Sequence, residues 1–469
     1  MKIERLNDRF YADKKRVVLQ PFQMNNERTE RILYRISKLS EEEVDNLFAG
    51  IKADFASRHS DFTNRLFSSY DNVSNFISNP HITENRKLLI GAYFSKEYSI
   101  ESAALFNPSI VAHPDQSGLK KNELRFILSL RATGEGHISS VEFRDGIITA
   151  NNDINISTVT RFASLPVHKV KIFTIDEIRK ISGNESVLTE LKEKLGDNFT
   201  YADVKKAYEN GSININEENY ELLLDYLDSN YDVSFNSKTT VSERVLFPYS
   251  HSECMGLEDV RLVKFINDDG TYKYYGTYTA YDGKSCRTQL IETKDFLNYE
   301  IRTMTGNGIL DKGLALFPRK VNGMYYMISR QDGENLYIMK SNNLYHWENA
   351  EKLMIPEYDW EFVQIGNCGS PIETDKGWLL ITHAVGSFRK YVISAVLLKI
   401  DEPEKVIGRC IKPILSPDED EREGYVPNVV YSCGSIIKNE ELILPYAMSD
   451  SASGFAKIKI DELLDELVK

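Results

Sequence analysis

Between residues 40 and 55 the apolar positions fall at helical spacing. Val44, Leu47, Phe48, Ile51 and Phe55 make one stripe, and Ser40 with Glu43 has the form of a capping box in front of it. Phe62, Leu66, Phe67 and Val73 continue the pattern through 61–78. The spacing predicts two or three helices over 26–90, an N-terminal helical extension within residues 1–90. A second helical patch is predicted at about 184–230, where Leu188, Leu191 and Leu195 precede Tyr220 to Leu227, with Gly196 and Gly211 as punctuation. It reads as an insertion in a main domain spanning 91–469.

In the rest of the chain the runs shorten. Gly270 to Tyr275, Gly323 to Ile328 and Gly377 to Ile381 are short apolar and aromatic segments bounded by Gly, Asn and Asp, the signature of strands. Leu290 to Glu300 parallels Ile338 to Glu348: in each, a strand ends in a polar turn that an aromatic closes. The offset between the copies is that of one four-stranded blade, roughly 40–50 residues. The expected fold is all-β, a β-propeller of roughly five to seven blades, in which residues far apart in sequence meet at a central channel.

Composition narrows the function classes. A hydrophobic fraction of 42% and a charged fraction of 27% are those of a soluble globular chain. The net charge of −13 and the lack of a Lys/Arg run argue against a nucleic-acid partner. No run of about 18 apolar residues predicts a membrane span. Cys254, Cys286, Cys368, Cys410 and Cys433 are scattered without a C-x-x-C pair. That spacing fits reduced thiols and a cytoplasmic location. His251, Glu253, Cys254 and Glu258 match no metal-ligand spacing, so no metal is expected.

The densest chemistry lies in Gly256-Leu257-Glu258-Asp259-Val260-Arg261. Adjacent carboxylates raise each other's proton affinity and a guanidinium lowers it, so such a cluster is either a tuned acid site or a structural ion pair. Further along, Lys312, Arg319 and Lys320 flank the apolar run Leu314 to Phe317, Arg330 ends the strand Met327 to Ser329, and His383 ends the strand Leu379 to Thr382. Cations at strand ends are placed to line a pocket, and several converging cations suit a phosphate dianion.

Together with Phe106-Asn107-Pro108, these segments occur in the order found in glycoside hydrolase family 130, β-mannoside phosphorylases and mannosidases, which the chain resembles over about 105–455. The resemblance implies a five-bladed β-propeller with the two helical parts as additions. It implies Asp259 as the general acid, acting through a hydroxyl of the bound mannose, with Glu258 and Arg261 supporting or binding the sugar. Val260 stands where the family commonly has Pro. Arg330 and His383 would bind inorganic phosphate, with Lys312 as a looser match. Asn107, Arg131, Lys320 and Asp450 would bind substrate, and Asn428 would be structural or lie behind the pocket. In the family's hydrolases the basic phosphate positions tend to be lost; here both are basic.

The expectation is an inverting phosphorylase that cleaves β-mannosides, β-1,2-mannobiose or β-1,2-oligomannan, to α-mannose 1-phosphate. Inorganic phosphate is its co-substrate, and no other cofactor is expected. A hydrolytic β-1,2-mannosidase and a non-catalytic glycan-binding propeller stay open. The partner is a small oligosaccharide, and the helical extension, with Arg58-His59 able to reach a neighbouring pocket, is a candidate homodimer surface.

Overall fold

The short apolar runs become antiparallel strands buried on both faces, which is why they read as nearly continuous hydrophobic segments. In the computed structural model, which describes residues 2–77, 81–179 and 184–467, five groups of strands succeed one another. The first is Ala104–Ala112, Leu124–Thr133 and Ser139–Ile148, with Ile154–Ile156 at its edge. The second is Gly256–Ile266, Tyr272–Tyr281, Cys286–Thr293 and Asn298–Thr303, extended outward by Tyr231–Ser234 and Val167–Lys169. The third runs from Ala315–Leu316 through Tyr325–Ser329 and Leu336–Ser341 to Ala350–Met354. The fourth runs from Gln364–Asn367 through Gly377–Val385 and Tyr391–Leu398 to Val406–Arg409. The fifth joins Val430–Tyr431, Glu441–Met448 and Ala452–Lys459 to Ile3–Tyr11.

A single parallel pairing, Gly256 with Ser139, merges the first two groups into one eleven-stranded sheet, and no sheet among the described residues closes on itself. The repeat seen in the sequence is structural. Leu290 and Ile338 lie in the third strands of consecutive groups, and the equivalent aromatics Tyr299 and Trp347 are buried. The first strands of three groups meet at Pro108-Ser109: the Leu262 amide donates to the Ser109 hydroxyl (3.0 Å) and the Cys433 amide to the Pro108 carbonyl (2.9 Å).

Among the described residues four α-helices, Asn26–Ser37, Glu41–Phe55, Phe62–Asp71 and Glu84–Tyr93, stand where two or three were predicted, the last running past residue 90. Ser40 and Glu43 form the capping box. Only part of the predicted stripe is buried: Val44 and Phe48 pack inward, whereas Leu47 and Phe55 are 42% and 39% exposed. Leu47 lies at the edge of the buried face, and Phe55 closes the last turn. Ser78, the end of the second predicted run, lies outside the described residues, as do Met1 and 468–469. The second helical part begins earlier than predicted, at Ile175–Arg179, and continues through Glu185–Leu195, Tyr201–Glu209 and Glu217–Ser229 around its own apolar core.

The strand Ile3–Tyr11, which the sequence pattern did not predict, pairs with Ala452–Lys459 from Ile3 opposite Ile458 to Tyr11 opposite Ala452. Just after it, Arg16 enters a buried quartet. Its guanidinium reaches Glu101 (2.7 Å) and Glu142 (2.8 Å), and Arg144 bridges the same two carboxylates at 2.9 and 3.0 Å. All four side chains are almost wholly enclosed. Removing one partner strands a buried charge. Arg16→Ala is therefore expected to cost ~3–5 kcal/mol, read as a lowered denaturant midpoint in urea unfolding. An unchanged midpoint would mean that the quartet does not fasten this segment.

Candidate active site

Two bulges build the centre of the site. In Ala104–Ala112 the pairing with Leu124–Thr133 slips between Phe106 and Ser109, and in Gly256–Ile266 the pairing with Tyr272–Tyr281 slips between Glu258 and Arg261. The residues released, Asn107 and Asp259, adopt left-handed φ values of 51° and 55°. A bulge re-aims a side chain, and strain of this kind persists where surrounding contacts hold it. Here the Asn107 amide donates to the Asp259 carboxylate at 2.6 Å, so each bulge holds the other.

Cations complete the grip. Arg131 donates to Asp259 (3.3 Å) and to Glu258 (2.5 Å). Arg261 donates to the Asp259 carbonyl (3.1 Å), to Asn367 Oδ1 (3.1 Å) and to the Tyr431 hydroxyl (2.6 Å). Burial alone would raise the Asp259 carboxyl, but Arg131, Arg261, Lys312 and the Asn107 amide outweigh it and hold it below the usual carboxylate range. Glu258 goes the other way: burial raises it, with Asp259's charge adding to the rise and Arg131 opposing it. Asp450, in the turn before Ala452–Lys459 with φ 49°, is pushed up to about 6 by burial and then by Asp259.

The loop 311–313 brings a third set of groups. Thr288 Oγ1 donates to the Asp311 carbonyl (3.3 Å) and Asn367 Nδ2 to the Gly313 carbonyl (2.5 Å), which pins both ends and leaves Lys312 facing the cavity. Arg330 is held from the side, its Nε donating to the Asp311 carboxylate at 3.0 Å. His383 is buried. Its Nδ1 lies 3.1 Å from the Asn367 carbonyl, which can only accept, so Nδ1 carries the proton. Burial, then Arg330 and Arg261, drive its pKa down to about 3. The ring is stacked against Tyr391 and tilted against Tyr431, and it lies over Gly366, where a Cβ would come within 2.4 Å of Cε1.

These elements enclose a cavity of about 330 Å³ lined by Asn107, Arg131, Asp259, Arg261, Lys312, Arg330, His383, Arg389 and Asp450, with Asn367, Tyr391 and Tyr431 among its neutral walls. Its chemistry is a carboxylate held ionised, a second carboxyl of raised proton affinity, and an excess of cations. A sequence model for glycoside hydrolase family 130, described as beta-1,4-mannooligosaccharide phosphorylase, matches residues 212–469. The chain belongs to glycoside hydrolase family 130.

Among relatives of this family 130 chain, the 1,2-beta-oligomannan phosphorylase of Thermoanaerobacter sp. strain X514 is 35% identical over 222 residues, 46% of this chain and 72% of the relative. The beta-1,2-mannobiose phosphorylase of Listeria innocua is 30% identical over 231 residues, 47% of this chain and 63% of that one. The solved structure of a Listeria innocua beta-1,2-mannobiose phosphorylase with beta-1,2-mannobiose aligns at a TM-score of 0.48 and 22% identity, over 78% of this chain and 92% of that chain.

Of the residues singled out in the sequence, Asn107, Arg131, Asp259, Arg261, Lys312, Arg330, His383 and Asp450 line the cavity. Glu258 stands behind it, paired with Arg131. Lys320 does not reach it. The chain leaves the cavity at Gly313 and runs outward through Ala315–Leu316 at roughly 3.3 Å per residue. Lys320 ends over the Tyr325 ring, 3.8 Å from Asp268, and Arg319 pairs with Glu373. Asn428 accepts from Arg422 outside the lining. His59 is buried and turns inward to Glu97 at 2.8 Å, whereas Arg58 reaches the same carboxylate at 2.8 Å from an exposed position. Glu253, from the candidate metal cluster, is buried against the Tyr231 and Tyr278 hydroxyls.

Sequence reasoning missed Arg389, Asn367 and Tyr431. Arg389 follows Phe388 in a turn where both are left-handed (φ 56° and 54°), and no turn motif announces it. Asn367, set in Gly366-Asn367-Cys368-Gly369, carried a signal in its flanking glycines.

A neutral His383 sets a pH dependence. Its folded pKa lies below the unfolded value, so its contribution is complete above about pH 6.5 and is lost as pH falls toward about 3. Each pH unit in that window costs at most about 1.4 kcal/mol. His383→Gln, which cannot titrate, is expected to unfold with a shallower acid dependence between those limits. Parallel stability–pH curves for the two proteins would count against the buried neutral state.

Proposed function

We propose that this chain is an inverting β-mannoside phosphorylase that uses inorganic phosphate to release α-mannose 1-phosphate, with β-1,2-mannobiose or short β-1,2-mannan as substrate. The observation that carries the reading is that Lys312, Arg330 and His383, distant in sequence, line the same cavity as Asp259. The activities for which the relatives are named support the substrate class. The five strand groups are read as the blades of a five-bladed propeller with its ligand channel at this cavity. Residues 1–90 are read as an N-terminal extension, 91–469 as the catalytic domain, and the second helical part as an insertion. A cytoplasmic home and a dimer through the helical extension belong to the same proposal.

Phosphate enters against Lys312 and Arg330. Among the described residues the Arg330 guanidinium is engaged through Nε alone, which leaves its two Nη groups for a bidentate pair with the anion. Arg131, Asn107 and Asp450 orient the mannose. A phosphate oxygen forms a bond to the anomeric carbon as the bond to the leaving oxygen breaks on the opposite side, which inverts the configuration. The leaving oxygen takes a proton that originates at Asp259 and passes through a mannose hydroxyl.

Asp259 is ionised in the free protein, so it must first take up a proton. The incoming dianion supplies the reason, because its charge offsets the cations that depress the Asp259 carboxyl. An inverting hydrolase would need a carboxylate base for water, roughly 6.5–9.5 Å from the acid. The walls around Lys312, Arg330 and His383 are instead suited to an anion.

Incubation with β-1,2-mannobiose is expected to give α-mannose 1-phosphate, seen by phosphorus NMR, only when phosphate is present. Equal mannose release without phosphate would establish hydrolysis instead. Asp259→Asn should lower kcat by about 10²–10⁴-fold, the usual yield of a positioned acid. Arg330→Ala should raise the phosphate KM roughly 10- to 100-fold, as expected for loss of a charged hydrogen-bond pair. An unchanged phosphate KM would remove Arg330 from the anion site.

A further inference from the structure

The orientation of His383 constrains which oxyanion this cavity accepts. Nδ1–H is committed to the Asn367 carbonyl at 3.1 Å, and the peptide at Gly366 lies against the ring edge, so the ring cannot turn over without breaking that bond. The groups that face the ring are Arg330 and Arg261, with Asp259 beyond them and the Tyr391 and Tyr431 rings on its faces. Among the described residues, no carboxylate pairs with it. The cations and the burial both disfavour an imidazolium. Nε2 is therefore an unprotonated nitrogen without a hydrogen-bond partner among the described residues, on a ring that lines a cavity rich in donors.

A neutral acceptor beside the cationic donors Arg330 and Lys312 has a chemical consequence. Against a fully ionised oxyanion, the Nε2 lone pair would repel an oxygen. Against an anion that still carries a hydroxyl, it accepts a hydrogen bond. We propose that His383 selects the protonated oxyanion: hydrogen phosphate binds with its P–OH donating to Nε2 while Arg330 and Lys312 take the charged oxygens. This rests on the phosphorylase reading and adds to it a protonation state and a rule of discrimination. Sulfate, which has no proton in the neutral range, and monofluorophosphate, which replaces the hydroxyl by fluorine, match phosphate in size and charge but lack the donor. An unmet acceptor in a buried wall is costly, which makes each a poorer ligand.

The test uses the full chain with phosphate, sulfate and monofluorophosphate. In initial-rate assays of phosphorolysis, sulfate and monofluorophosphate are expected to compete with phosphate with inhibition constants at least about tenfold above the phosphate KM, the scale of one charged hydrogen bond. His383→Gln, whose amide can turn a donor inward, should narrow that ratio. Titration calorimetry of phosphate at about pH 8 with Asp259→Asn, which lacks the carboxyl that takes up a proton, in two buffers of different ionisation enthalpy, is expected to show no net proton uptake, because the ligand brings its own proton. Phosphorolysis with sulfate or monofluorophosphate binding as tightly as phosphate, or uptake of a whole proton per site, would overturn the selection and leave the phosphorylase reading standing. Mannoside cleavage with no phosphate requirement would instead remove the phosphorylase reading itself.

Discussion

The centre of this protein is a carboxylate taken out of water and kept ionised. Enclosing a charge costs several kcal/mol unless it is paired and hydrogen-bonded. Asp259 meets that condition through Asn107, Arg131 and the adjacent Arg261, which come from the first two strand groups. The same contacts hold the two bulges in their left-handed conformations. The chemistry and the junction between strand groups are therefore one network: a change that loosens the bulges also releases the carboxylate.

Around that network the cations divide into two kinds. Arg131 and Arg261 are satisfied by protein partners and act on Asp259. Lys312 and Arg389 line the cavity without an ion pair among the described residues, and Arg330 spends only one of its three nitrogens on Asp311. Like charges gathered in one hollow repel one another until an anion arrives, so the cavity is held ready for negative charge. A neutral histidine in the same wall adds an acceptor to these donors, and tells apart anions that charge alone would treat as equal.

The remaining parts of the chain support this centre from a distance. The quartet of Arg16, Glu101, Glu142 and Arg144 ties the segment before the helices to the first strand group. The strand Ile3–Tyr11 ties the same end of the chain to the fifth. Among the described residues, neither helical part supplies one to the cavity lining. Each has an apolar core of its own, which is how it could be read from helical periodicity without reference to the rest.

What the chain determines by itself is local: the capping box at Ser40, the strand type and repeat around Leu290 and Ile338, and the cluster from Gly256 to Arg261. Each depends on neighbours a few residues away, so each was legible in the order of residues. Which strand end faces the cavity is a different matter. Lys312 and Lys320 flank the same apolar run, and nothing local separates them. The direction of the strand puts one at the cavity and the other over Tyr325. Asn367 and Tyr431 became site residues through Arg261, scores of positions away, Arg389 through a left-handed turn, and the tautomer of His383 was set by a carbonyl in another strand. The period of a strand tells which residues share a face, but only the packing of five groups decides what that face meets.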